Sequence, residues 1–189
     1  MIKIGILGDI GSGKSYVAKI FGHPVFNADY EVSKIYKKDV KIFRDLKKIL
    51  PQYIYSFPIN KIEITNAILA DQHNLKKIIK IVHKKVRIKL NSFLRKNKNK
   101  KAVILDIPLL LENKLNKGAI LVFVQSKNSE ILKKLKKRKN FNFKLWKKFK
   151  KIQLPLDYKK KKSQFIIKNN FSHKTVKNRV KIISKQLLK

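Results

Sequence analysis

Apolar and polar residues follow one another along the chain in blocks that predict strands and helices. The short apolar run Ile2–Leu7 is followed by a glycine-rich turn and then by Val17, Ile20 and Phe21 at helical spacing. The run predicts a buried strand, and the spacing predicts an amphipathic helix with Gly22 as its stop signal. The first elements are therefore strand, turn and helix.

Four further stretches predict strands. Two of them are apolar except at or near their last residue, which is typical of strands in a parallel sheet that is covered on both faces. The predicted strands are Val25–Ala28, Ala102–Ile107, Ala119–Gln125 and Gln164–Lys168.

Helical periodicity fills the interval between the second and third predicted strands. A helix over Tyr30–Lys38 continues through Leu50, and a second runs from a cap at Asn60, with Glu63 as capping partner, to Ala70. A long helix is predicted from Asn74 to about Lys96, so residues 30–96 form a mostly helical insertion.

Basic helical segments follow the fourth strand, and a last helix begins after Ser172, which we expect to cap it. The fold class is thus α/β, a three-layer α/β/α core with a parallel sheet, a helical insertion and a helical lid. The predicted ranges are 1–29 and 97–189 for the core, about 137–163 for the lid within it, and 30–96 for the insertion.

The turn after the first strand matches the phosphate-loop pattern G-x-x-x-x-G-K-[ST] without a mismatch, over residues 8–15. Backbone N–H groups of such a loop and the following helix N-terminus face an anion, Lys14 reaches the β- and γ-phosphates, and Ser15 ligates Mg²⁺. We therefore expect ATP and Mg²⁺ as cofactors. The predicted nucleotide contacts are Gly8, Gly11, Ser12, Gly13, Lys14, Ser15 and Tyr16.

Composition limits the setting in which the chain works. Its 189 residues include no cysteine, which fits a reducing cytoplasm, and no apolar run is long enough to span a membrane. The net charge is +37, but only five of the 48 basic residues are arginine and the lysines are spread along the whole chain. This favours compositional drift over selected nucleic-acid binding, with nonspecific binding of polyanions at low salt.

With these motifs in order, the chain resembles dephospho-CoA kinase over nearly its whole length. The family's D-A-D appears as Asn27-Ala28-Asp29, its H-P-x-[IV]-R as residues 83–87, and its D-x-P-L-L-[FL]-E as residues 106–112. The closing V-I-x-N-x-G appears as residues 166–171, with Phe171 where glycine is usual.

The resemblance implies phosphorylation of the ribose 3′-hydroxyl of dephospho-CoA, with Asp29 as the base and Arg138 as a lid residue that clamps phosphate. Asp106 is expected to hold Mg²⁺ through water, and His83 and Arg87 to contact the acceptor. Each has a structural alternative: a helix cap for Asp29, a capped strand end for Asp106, packing for His83 and surface charge for Arg87.

Several positions depart from the family pattern. Asn27 replaces the first acid of D-A-D, and His83 lacks its following proline. Lys159 stands where a lid arginine is expected, which implies a phosphate contact that keeps the charge and loses the bidentate fork.

Two other functions remain open: a nucleoside or nucleotide kinase, and a basic nucleic-acid-binding protein with a vestigial ATP site. We expect a monomer or a weak homo-oligomer with no specific nucleic-acid or membrane partner.

Overall fold

The computed structural model describes residues 1–139 and 141–188. Within them, five parallel strands form one sheet in the order β2-β3-β1-β4-β5, so the predicted parallel α/β sheet is confirmed. Asn140 and Lys189, which belong to the predicted lid and core ranges, lie outside the described residues. The strands are β1 (Ile2–Gly8), β2 (Val25–Asn27), β3 (Ala102–Asp106), β4 (Ala119–Gln125) and β5 (Phe165–Lys168).

Helices connect the described strands except β3 and β4, which are joined by turns. Two helical excursions are present in the described residues, one after β2 and one after β4. The helices are α1 (Lys14–Ile20), α2 (Ala28–Lys38), α3 (Val40–Ile49), α4 (Lys61–Ala70), α5 (Gln72–Lys96), α6 (Asn128–Lys136), α7 (Phe143–Lys151), α8 (Leu156–Lys161) and α9 (His173–Leu187).

The central strands are buried because helices cover them. All five residues of β3 are buried, and α1 and α9 pack against one another and against the sheet. The apolar faces of these two helices meet side chains of β1, β3, β4 and β5 in one core, and α8 also packs against β1.

The chain divides into two compact units. The first, with the sheet, contains Met1–Asn27, Lys96–Phe141 and Ile152–Lys189, and the second, which is helical, contains Ala28–Arg95 and Asn142–Lys151. The helical unit thus includes α7, which packs against α4, although the sequence places α7 in the lid of the core.

The helix predicted over Tyr30–Lys38 and on through Leu50 is wrong in one respect. The chain does not continue helically from α2 to Leu50, because Asp39 interrupts it and its carboxylate accepts a hydrogen bond of 3.1 Å from the N–H of Ile42. Asp39 is therefore the N-cap of a separate helix, α3, and a polar cap overrides an unbroken apolar period.

Two predicted caps have mixed outcomes. Asn60 caps α4 through its side chain, which accepts from the N–H of Ile62 at 2.9 Å. Glu63 does not complete a capping box, because its buried carboxylate accepts from Tyr55 and Ser56 instead. Ser172 precedes α9 but makes no side-chain cap bond.

Candidate active site

The phosphate loop joins β1 to α1 and has the backbone that its glycines permit. Gly8, Gly11 and Gly13 all have positive φ, at 145°, 89° and 90°. A side chain at Gly13 would overlap Asn169 Nδ2, and one at Gly8 would stand 2.6 Å from the carbonyl oxygen of Val124. Both the conformation and the close packing therefore require glycine here.

The side chain of Lys14 lies across the phosphate loop. Its Nζ donates to the carbonyl oxygens of Gly8 at 3.2 Å and Asp9 at 2.7 Å. Ser12 Oγ is buried and, within the part of the chain that the structure describes, has no hydrogen-bond partner. A lysine ammonium and a buried hydroxyl at a left-handed glycine turn fit the charge and the oxygen atoms of a triphosphate.

Two side chains from outside the loop fix its backbone. Asn169 Nδ2 donates to the carbonyl oxygen of Ser12 at 2.8 Å, and Ser126 Oγ donates to the same oxygen at 3.1 Å. Asn169 is itself buried and follows β5. The sequence analysis assigned no role to Asn169. Its place as the asparagine of the closing V-I-x-N-x-G motif was the feature that could have indicated one.

Asp106 ends β3 at the carboxyl edge of the sheet. It is buried, and its Oδ2 accepts a hydrogen bond of 2.6 Å from Asn27 Nδ2, across the paired ends of β2 and β3. The two strand ends of the predicted site thus meet, and Asn27, which replaces the family's first acid, donates its amide to the Asp106 carboxylate.

Asp29 does not lie at a strand end. Because β2 stops at Asn27 and α2 starts at Ala28, Asp29 lies exposed in the first turn of α2. There its negative charge interacts favourably with the positive end of the helix dipole. It is also not the N-cap of that helix, since Ala28 before it is already helical.

His83 and Arg87 lie four residues apart on α5, in the helical unit that also contains Asp29. His83 is half-buried and Arg87 is exposed. Between them, Lys85 Nζ forms an ion pair of 2.8 Å with the Asp39 carboxylate. Burial acts to raise the pKa of Asp39, but hydrogen bonds from Lys85 and from the N–H of Ile42 outweigh it and lower the pKa overall.

Arg138 is exposed in the turn that follows α6, in the unit that contains the sheet. Its carbonyl oxygen accepts from the N–H of Phe141 at 3.0 Å. The side chain is therefore accessible to a ligand.

Lys159 is not a phosphate contact, contrary to the expectation from the family pattern. It is 1 % exposed, and its Nζ lies 2.7 Å from Glu112 Oε1 and 3.1 Å from Gln153 Oε1. Glu112 Oε1 also accepts from the N–H of Leu154 at 3.0 Å. This buried cluster ties the segment after β3 to the segment that leads into α8.

In residues 1–139 and 141–188, no group of three or more histidine or acidic side chains is placed to hold a metal ion. Over the same residues, none of the helices is both long and apolar enough to cross a membrane.

A parallel five-stranded sheet with a glycine-rich phosphate loop and its lysine after the first strand defines a P-loop nucleotide-binding protein. The family model of dephospho-CoA kinase (CoaE) matches residues 2–175. The chain belongs to the dephospho-CoA kinase family and is an ATP-dependent kinase of coenzyme A synthesis.

Curated relatives agree with the family model over nearly the full length. Dephospho-CoA kinase from Wolbachia sp. subsp. Brugia malayi is 32 % identical in an alignment of 186 positions that covers 95 % of each chain. The one from Bartonella quintana is 30 % identical in an alignment of 192 positions, gaps included, that covers 98 % of each chain.

Solved structures share the fold. Dephospho-CoA kinase from Campylobacter jejuni aligns with a TM-score of 0.65 at 20 % identity, over 98 % of this chain and 97 % of that one. Shikimate kinase from Bacteroides thetaiotaomicron aligns with a TM-score of 0.51 at 11 % identity, over 98 % of each chain. The shared architecture is thus that of small-molecule kinases.

Proposed function

We propose that this chain transfers the γ-phosphoryl group of ATP to the ribose 3′-hydroxyl of dephospho-CoA, which gives coenzyme A and ADP. The observation that carries the proposal is a phosphate loop with three left-handed glycines and its lysine, in a chain that matches the dephospho-CoA kinase family over residues 2–175. The new bond joins the 3′-oxygen to phosphorus, and the bond to the β,γ-bridging oxygen breaks.

The donor binds through the loop N–H groups and Lys14. Lys14 exchanges its two backbone carbonyl partners for phosphate oxygens, which carry more charge and compensate the ammonium better. The concave backbone that faces the phosphates is formed by Gly8, Gly11, Ser12 and Gly13. Ser15 and Tyr16 lie beside it in the first turn of α1.

Ser15 and Asp106 are the residues that would hold Mg²⁺. A hydroxyl, one buried carboxylate, waters and phosphate oxygens suit this cation, which is seldom held by protein ligands alone. When bound, Mg²⁺ neutralises charge on the transferring phosphoryl group. Asn27 orients the Asp106 carboxylate by donating to one of its oxygens.

Asp29 takes the proton of the 3′-hydroxyl as the oxygen attacks. Its exposure in the first turn of α2 leaves the carboxylate accessible to an acceptor, and it follows the Asn27–Asp106 pair by two residues of chain. His83 and Arg87 contact the acceptor from α5, with Arg87 suited to the diphosphate of dephospho-CoA because guanidinium binds phosphate bidentately.

Arg138 stabilises the charge that develops on the phosphoryl group. It is exposed in a turn after α6 and carries one of the chain's few guanidinium groups. An arginine in this role contributes about 10³–10⁵-fold to the rate in related reactions.

The positive charge of the chain does not form a specific nucleic-acid-binding site in this proposal, since the lysines are spread along the sequence rather than collected in one segment. We place the enzyme in the cytoplasm, as a monomer or a weak homo-oligomer.

The test is ADP release with ATP and Mg²⁺ in the presence of dephospho-CoA, of nucleosides and of nucleoside monophosphates, each at the same concentration. The proposal predicts turnover that depends on dephospho-CoA. Faster turnover with a nucleoside or a nucleoside monophosphate would show that this compound, and not dephospho-CoA, is the acceptor. No turnover with any of them would reject the kinase function.

A further inference from the structure

Phe171 holds a backbone conformation that phenylalanine rarely adopts. It follows β5 and has φ of 61°, in the left-handed region, where a bulky residue is strained. Its N–H donates to Asn169 Oδ1 at 2.8 Å, and the N–H of Ser172 donates to Asn170 Oδ1 at 3.1 Å. Two asparagine turns thus hold Phe171 in place, and glycine would fit this position without strain.

The ring of Phe171 lies against the phosphate loop. Its Cε1 stands 3.7 Å from the position that a Cβ on Gly13 would occupy. Lys134 Nζ lies 5.4 Å from the ring centroid, over the aromatic face. The side chain is only partly buried, so the ring is available to a molecule bound in the loop.

Beside this ring, Tyr16 and His173 form a second contact between α1 and α9. Tyr16 Oη and His173 Nδ1 are 2.6 Å apart, and the two rings meet edge to face. Tyr16 is the residue after Ser15 and His173 is the second after Phe171, so this contact joins the residues that follow the loop to those that follow Phe171.

The loop itself accounts for the phosphates of a nucleotide but not for its base. Several side chains that pack against the loop are polar clamps or buried aliphatics: Asn169 and Ser126 bind the Ser12 carbonyl, and Ile131 and Leu135 lie under Gly11. The Tyr16 and His173 rings are paired with one another, whereas Phe171 offers an aromatic face close to Gly13. A strained residue beside a ligand loop points to a functional role.

We propose that Phe171 is the stacking platform for the nucleobase of the phosphoryl donor, and that stacking rather than hydrogen bonding to the base dominates donor selection in this chain. The proposal rests on the proposed function, since it assumes a nucleoside triphosphate in the loop. The base takes the ring face over which Lys134 lies, and the lysine moves towards the phosphates.

This arrangement has a consequence for specificity. Every base has a π-face, so stacking tolerates exchange of one base for another, and larger purine rings stack better than pyrimidines. The chain should therefore bind GTP almost as well as ATP, and CTP less well.

The test is calorimetric titration of the full chain with Mg-ATP, Mg-GTP and Mg-CTP in the absence of acceptor. Phe171→Leu keeps an apolar side chain and the left-handed strain but removes the aromatic face, whereas Phe171→Tyr keeps the face. Phe43→Leu is the matched control, because Phe43 is a partly buried ring with a lysine, Lys47, 5.6 Å from its centroid in the helical unit.

Loss of stacking should raise the dissociation constants of ATP and GTP by the same factor in Phe171→Leu, roughly 5- to 150-fold. Phe171→Tyr and Phe43→Leu should bind like wild type. Unchanged ATP affinity in Phe171→Leu, or wild-type selection of ATP over GTP by 100-fold or more, would overturn the proposal. Because no acceptor is present, this result is independent of which acceptor the enzyme uses.

Discussion

Asn27 Nδ2 donates a 2.6 Å hydrogen bond to Asp106 Oδ2, at the point where β2 and β3 end side by side. An amide in this position satisfies a buried carboxylate without adding a second negative charge. The replacement of the family's first acid is thus accommodated by the fold, and Asp106 keeps a partner.

Asn27→Asp should make stability depend on pH. Two carboxylates at this separation do not both ionise readily, so the pKa of one is raised in the folded state. Stability is then complete below the ordinary carboxyl pKa and is lost as pH rises through the raised value. Urea unfolding without Mg²⁺ should show the variant about 1–2 kcal/mol less stable at pH 8, with a smaller difference at pH 5.

Added Mg²⁺ should reduce that difference, because the cation compensates the extra charge. Wild type at the same pH values is the control. A variant that matches wild type at pH 8 without Mg²⁺ would show that the two side chains do not face one another.

The Glu112–Lys159 pair predicts a large effect of removing one partner. Lys159→Met leaves a carboxylate buried without its cation, so we expect unfolding free energy to fall by about 3–5 kcal/mol. The double variant Glu112→Leu with Lys159→Met should recover most of this loss, since no charge remains buried. Lys161→Met, on the exposed side of the same helix α8, should change stability by less than about 0.5 kcal/mol.

Chemical denaturation of the three variants separates the pair from the helix. If Lys159→Met is as stable as Lys161→Met, the ion pair is not buried in solution.

The ionised Asp39 carboxylate should stabilise the helical unit, so this part of the stability should depend on pH. Its folded pKa is below the ordinary value of about 3.9, so the contribution is present above that pH and is lost as pH falls through the lowered value. Asp39→Asn keeps a capping side chain but removes the ion pair with Lys85, so it should cost about 0.5–1 kcal/mol at pH 7.

The same comparison at pH 3 should give a smaller difference. Equal losses at both pH values would assign the effect of Asp39 to capping alone.

Asp29→Asn should lower kcat and leave ATP affinity nearly unchanged. The amide preserves the shape of the side chain but removes the basic oxygen, and general base catalysis supplies about 10²–10⁴-fold. Asp45→Asn is the matched control, because Asp45 is another exposed carboxylate of the helical unit, on α3. An Asp29→Asn enzyme with the kcat of the control would remove Asp29 from the mechanism.

The elements that the sequence predicted well are those set by local pattern. The phosphate loop, the buried strands and the long helix α5 each follow from residues adjacent in sequence, and the structure confirms them. The break at Asp39 was missed because apolar residues keep helical spacing across it, while the cap that ends the period is a single side chain.

The rest depends on contacts between distant segments. Glu112 and Lys159 are far apart in the chain, and no spacing rule joins them, so burial of the pair could not be predicted from a lysine in a basic region. Phe171 was noted as a departure from glycine, but only the structure gives its φ and its place beside Gly13. Asp29 stays a prediction, placed by the structure in a helix rather than at a strand end.

The most direct test of the central claim is the product formed by wild type and by Lys14→Ala from dephospho-CoA, ATP and Mg²⁺. Phosphorus NMR and mass spectrometry should find one 3′-phosphorylated product for each ADP released by wild type. Lys14→Ala should be folded by circular dichroism, because Lys14 is only partly buried and lies where the loop meets α1 rather than in the core, and should form almost no product. Phosphate on another oxygen, ADP without phosphorylated acceptor, or wild-type turnover by Lys14→Ala would contradict the account.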